Sequence, residues 1–134
     1  VIDQGLRVAF GGNNMVDPGG GLSMGDAGLW GLAFSVCSAC ILAPVSEELL
    51  YRGILFRSCW NRLGVFPAAV LSSAVFAVLH FYDGYGLASV GAFGMACALL
   101  YAATGSLTTT IALHMLYNAS IKIPEWLIYH APLG

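Results

Sequence analysis

Long stretches without charge constrain this chain more than any other feature. Residues 27–46, 63–79 and 84–121 contain no Asp, Glu, Lys or Arg, and only His114 interrupts the last of them. Crossing the hydrocarbon layer of a bilayer takes about 20 mainly apolar residues in helical form. The three gaps therefore accommodate one, one and two helices. Ordinary soluble domains carry about 25% charged residues because their surfaces face water. This 134-residue chain has 9%, against 58% hydrophobic. The surplus apolar surface predicts lipid as its surroundings. A net charge of −2 without any basic run gives no footing for a nucleic-acid partner.

Residues 1–28 differ from the rest. They are dense in glycine, with Asn13, Asn14, Asp17, Pro18 and Asp26 among them, and read as a loop or linker. Residues 29–134 read as a transmembrane catalytic core. The chain begins with Val1 rather than Met, which suggests a fragment preceded by further helices. The expected architecture is an all-α, polytopic transmembrane bundle of about five helices. Helix A covers 29–43 and stops at Pro44, and helix B covers 46–62. Helix C covers 66–80 and is followed by a turn over Asp83, Gly84, Tyr85 and Gly86. Helix D covers 87–103, and helix E covers 107–121, ended by Pro124. Small residues recur every fourth position at Gly31, Ser35, Ala39 and Ala43, and again at Ala88, Ala92 and Ala96. Such stripes allow close helix approach in membranes. Cys37 and Cys40 have the spacing of a redox or metal motif, but inside an apolar run they read as packing residues, like Cys59 and Cys97.

Ionisable groups at membrane depth are costly and usually face a bundle interior, where they mark function. Glu47, Glu48, Arg52, His80 and His114 are the candidates, joined by the amide of Asn118. Glu48 and Arg52 are four apart and can pair on one helix face. Glu47 lies about 100° further round and has no partner at helical spacing. An unpaired carboxylate beside a satisfied one has the look of a general base. An interfacial acid near a helix N-terminus fits the local pattern equally well. His114 and Asn118 share a face of helix E, either as two donors for an oxyanion or as a plain interhelical hydrogen-bonding pair. His80 taken alone reads as an interfacial histidine. Alternating helix directions bring all of these groups to one end of the bundle or just below it.

Three patterns then resemble a known family. Glu47-Glu48-Leu49-Leu50-Tyr51-Arg52 has the form EExxxR, Phe76 to His80 the form FxxxH, and His114 to Asn118 the form HxxxN. In this order on apolar helices they resemble the CPBP intramembrane glutamic proteases, which include CAAX prenyl endopeptidases and bacteriocin-processing or self-immunity proteins. The resemblance implies an endopeptidase in which Glu47 is the general base and His80 helps activate water. It implies that His114 and Asn118 stabilise the oxyanion. Glu48 and Arg52 would orient helix B, and Phe76 would pack over the site. It further implies no cofactor, a peptide or protein substrate, prenylated or not, and residence in the plasma (inner) membrane of a prokaryote. Zinc held by Glu47, His80 and His114 is a disfavoured alternative. A non-catalytic immunity or scaffold protein, or a piece of a proton or ion pathway, is the alternative outside enzymology.

Overall fold

The computed structural model describes residues 28–80 and 82–129. Among them all regular structure is helical, in four helices rather than the expected five. α1 (28–63) is followed by α2 (Val65–Val78), α3 (Gly84–Thr104) and α4 (Leu107–Tyr129). Of the expected linker, residues 1–28, positions 1–27 lie outside the described residues, and Gly28 belongs to α1.

The miscount has one cause. Pro44 does not separate two helices, because α1 runs straight through it. Residues Val36–Leu42 adopt the wider π-helical turn, shown by the Ala43 N–H donating to the Ser38 carbonyl five residues back. A proline inside an α-helix lacks one donor and clashes with the carbonyl four residues earlier. The π turn shifts that register, and Pro44 then stands near the start of an ordinary α segment, Ala43–Glu48, where its missing N–H matters least. A second π stretch, Leu49–Phe56, follows. Pro124 likewise sits inside α4 without ending it. Ser120 and Pro124 are on the exposed side, where the helix can open outward to relieve the ring.

The remaining boundaries also moved slightly. α2 ends at Val78, leaving His80 in the turn that follows. The expected turn at residues 83–86 is the first turn of α3, with Asp83 as its cap: Oδ1 accepts from the Gly86 N–H at 2.8 Å. Gly105, at φ 66°, closes α3 in the left-handed conformation that favours glycine.

α2 and α3 form the tightest pair. Gly94 makes their approach possible: a Cβ there would stand 3.1 Å from Phe76 Cδ1 and 3.3 Å from Ser73 Cα. The contacting face of α3 carries Gly94, Cys97, Ala98 and Tyr101, whereas Ala88, Ala92 and Ala96 point outward. The second small-residue stripe is therefore not a packing seam. The first is half-buried, and α4 lies along its π stretch. An apolar core of Phe56, Ala68, Ala69, Ala98 and Tyr101 fills the end of the bundle near the α1–α2 and α3–α4 turns.

The exterior is apolar. Trp30 is 86% exposed, Ile128 76% and Leu116 70%. Leu29–Leu63 and Gly84–Thr104 are long and apolar enough to cross a membrane, and Val65–Val78 is apolar but shorter. At 1.5 Å per residue α1 is about 50 Å long, more than a bilayer core of about 30 Å.

Candidate active site

The α segment Ala43–Glu48 lies between the two π stretches of α1 and carries both glutamates. α2 delivers Phe76 and, just beyond its end, His80. α4 runs antiparallel to α1 and delivers His114 and Asn118, which reach Glu48 and Ala39 respectively. α3 contributes Phe93 and the Gly94 carbonyl.

Glu48, fully buried, is the hub of this arrangement. Its Oε1 accepts from Arg52 Nη1 at 2.9 Å, the pair expected from their four-residue spacing. The same oxygen lies 2.9 Å from His114 Nδ1. Arg52, 1% exposed, donates its other terminal nitrogen to the Gly94 carbonyl at 2.8 Å and lies 5.0 Å from the centre of the Phe76 ring. The buried Cys97 thiol also faces Glu48. Two buried charges are tolerable when they are paired in this way, although Glu48 Oε2 and Arg52 Nε are buried without a hydrogen-bond partner among the described residues. Removing one partner would strand the other.

Glu47 is different. It is 27% exposed, and its Oε2 lies 3.7 Å from His114 Nε2 and 4.0 Å from His80 Nε2. These separations exceed a direct hydrogen bond. His80 turns its other nitrogen to the Phe76 carbonyl at 2.7 Å. A carbonyl only accepts, so Nδ1 holds the proton and neutral His80 presents a lone pair at Nε2. The Glu48 carboxylate likewise takes the Nδ1 proton of His114, whose Nε2 faces Glu47 as a lone pair in the neutral ring and as an N–H in the imidazolium. Both Nε2 atoms thus converge on one Glu47 oxygen while both Nδ1 atoms are anchored elsewhere.

Phe76, 1% exposed, is packed among these groups, with its ring centre 4.5 Å from that of His80 and 5.9 Å from that of His114. Phe93 closes on His114 at 4.9 Å and stacks on Tyr117 at 4.2 Å. Tyr51 meets Phe76 edge-on at 4.9 Å.

Asn118 does not join the other polar groups. Its Nδ2 donates to the Ala39 carbonyl at 2.7 Å, in the first π stretch of α1. The structure therefore gathers Glu47, Glu48, Arg52, Phe76, His80 and His114, and sends Asn118 to the backbone. Two features escape sequence reading. The His114–Glu48 bond joins positions 66 apart and leaves no local signature. The Ala39 carbonyl is a backbone atom, invisible to any residue pattern, although Pro44 five residues later is a signal that some carbonyl in this turn lacks a donor. Among the described residues no group of three His, Cys, Asp or Glu side chains is arranged to hold a metal ion.

Comparison with known proteins supplies a family. Residues 29–120 match the family described as "Type II CAAX prenyl endopeptidase Rce1-like". A protein of Bacillus subtilis (strain 168) named "Putative membrane peptidase YdiL" is 31% identical over 85 residues, which is 63% of this chain. The chain spans about a third (34%) of that relative's length. No solved structure matches.

Proposed function

The chain belongs to the Rce1-like family of type II CAAX prenyl endopeptidases, and from that premise we propose that it carries the active site of a membrane endopeptidase, with Glu47 as general base. The observation that supports this most is the convergence of His80 Nε2 and His114 Nε2 on Glu47 Oε2 at 4.0 and 3.7 Å. The Nε2 lone pair of His80 and the Glu47 carboxylate are two acceptors facing each other without a donor. Contacts longer than 3.5 Å between such groups call for a bridging water. Water has two hydrogens to give, so it fits between the carboxylate and an imidazole with its own lone pair left to attack.

The reaction follows from that placement. Water attacks the peptide carbonyl carbon and gives a proton to Glu47, and the carbonyl π electrons move to its oxygen. Glu47 then passes the proton to the leaving amine. His114 serves the oxyanion as an imidazolium, whose second N–H is at Nε2. The Glu48 carboxylate on Nδ1 favours that cation, as a buried acid does behind a catalytic histidine. An oxyanion donor of this kind is worth roughly 3–4 kcal/mol. The Ala39 bond uses one hydrogen of the Asn118 amide, which leaves a second for the oxyanion role. Glu48 and Arg52 act by holding α1, α3 and α4 in register.

The two candidate spans and the apolar exterior support a transmembrane bundle, and we place it in the plasma (inner) membrane of a prokaryote. The substrate in this reading is a peptide or protein segment, prenylated or not. A zinc-dependent hydrolase is the second reading. Histidines with one nitrogen pinned by a carbonyl or carboxylate also surround metals, and His80 and His114 are pinned in that way.

The test is cleavage of a panel of prenylated and unprenylated peptides by the protein in detergent, beside Glu47→Gln, with and without a chelator. Cleavage lost in Glu47→Gln and indifferent to chelator is expected. Loss with chelator and recovery with zinc would move the reading to the metal. Equal cleavage by both proteins would remove Glu47 from the chemistry, and no cleavage by either would favour a scaffold, immunity or proton-pathway role.

A further inference from the structure

We infer that Pro44 is a positioning residue: by withholding an N–H it reserves the Ala39 carbonyl for Asn118, and so fixes where α4 holds His114 beside Glu47. The inference rests on the proposed peptidase reading only for its catalytic consequence; the Pro44–Asn118 coupling stands on geometry alone.

One carbonyl of α1, that of Ala39, lacks a helical donor. In an α-helix the Ala39 oxygen would accept from the N–H at position 43. The Ala43 N–H instead goes to Ser38, in the i→i−5 register of the π stretch. In that register the Ala39 oxygen would accept from position 44. That residue is Pro44, which has no N–H. Both helical donors are therefore unavailable, and the half-buried oxygen takes Asn118 Nδ2 at 2.7 Å, from 79 residues away. Even a half-buried backbone acceptor is costly to leave without a partner in an apolar bundle, which gives the Asn118 contact its strength.

The consequence reaches the site through helix geometry. Asn118 is one turn beyond His114 on the same face of α4. His114 is bonded to Glu48 and Asn118 to Ala39, so α4 is pinned to α1 at two points. One point would leave it free to rotate and slide; two fix both its rotation and its height. Pro44 itself is fully buried and stands one turn before Glu47 and Glu48 on the same helix. The residue that reserves the Ala39 carbonyl thus belongs to the segment that carries the base.

A double-mutant cycle tests this. Tm in detergent is measured for the parent, Pro44→Ala, Asn118→Leu and the double variant; leucine keeps the size of asparagine without its donor. Pro44→Ala restores a helical N–H to α1. Asn118→Leu should lower Tm by about 4 °C in the parent, and by less than half as much beside Pro44→Ala. In the peptide assay Pro44→Ala should lower kcat about tenfold with KM within twofold, because a displaced catalytic group slows chemistry more than binding. A merely structural proline would change Tm and leave kcat alone. Equal Tm losses in the two backgrounds overturn the inference, as does an unchanged kcat for Pro44→Ala beside an active parent. Non-additive Tm losses with a parent that cleaves nothing would support the coupling and remove only the peptidase reading.

Discussion

Two layers of the bundle are held together by opposite means. Near the α1–α2 and α3–α4 turns, Phe56, Ala68, Ala69, Ala98 and Tyr101 pack without a charge among them. About one turn of α1 away, α1, α3 and α4 meet through Glu48, Arg52, His114 and the Gly94 carbonyl. In lipid the apolar layer gains little from excluding water, since lipid tails are as apolar as its side chains. Its contribution is close fit. The polar layer gains nothing by separating either, because each of its groups would be left unpaired in hydrocarbon. The first layer degrades gradually when altered, whereas the second fails when one member is lost.

That contrast sets an order of expected effects. Glu48→Leu should be the most damaging, at about 4 kcal/mol in unfolding from detergent, because it strands Arg52 and His114. Pairing it with Arg52→Leu should recover part of the loss; if the double variant is worse than the single, the polar layer is not a mutually dependent set. Phe56→Ala should cost about 2–3 kcal/mol, below the usual soluble-core value, since only the cavity and contact terms apply. A loss larger than that of Glu48→Leu would invert the comparison. Gly94→Ala, with 3.1–3.3 Å between the new Cβ and α2, should cost about 1–2 kcal/mol by overpacking. It acts where both layers share one helix pair, and loss of the Arg52 contact should appear with it in the structure of the variant. Glu47→Gln, half-exposed and without a direct hydrogen bond, should change stability by less than about 0.5 kcal/mol while abolishing cleavage. Lys122→Ala should be the smallest, at roughly 0.3 kcal/mol or less, because its 3.2 Å pair with Glu125 is exposed.

Glu47 and Glu48 show how adjacent identical residues separate in role. One is enclosed by an arginine, a histidine and a thiol, and the other is aimed at two imidazole nitrogens. Their relative rotation on a helix anticipates the difference. The Glu48–Arg52 pair followed from spacing alone, whereas the place of Phe76 at the site was implied by the family resemblance. The common arrival of His80 and His114 at Glu47 followed from alternating helix directions. Asn118 was legible as a polar residue on the face of His114, but its bond to Ala39 was not. That bond depends on a helical register that Pro44 permits and that no side-chain pattern records. The reading of Pro44 as a helix stop failed for the same reason. Proline forbids one hydrogen bond, and a π turn is a second way to do without it. The outward-facing Ala88, Ala92 and Ala96 make a related point: spacing identifies faces of a helix, but not which face meets a neighbour.

The sequence by itself determined the all-helical class, the apolar exterior and the shared helix face of Glu48 and Arg52. These follow from composition and from periodicity along one helix, where each residue's direction is set by its near neighbours. Only the tertiary structure decided that four helices, not five, carry them, that Glu48 is shared between Arg52 and His114, and that Asn118 closes an open carbonyl of α1. Those outcomes depend on hydrogen-bond donors and acceptors brought together from 42 to 79 positions apart. Burial forces each such group to find a partner, but which partner is within reach is settled by how the helices pack.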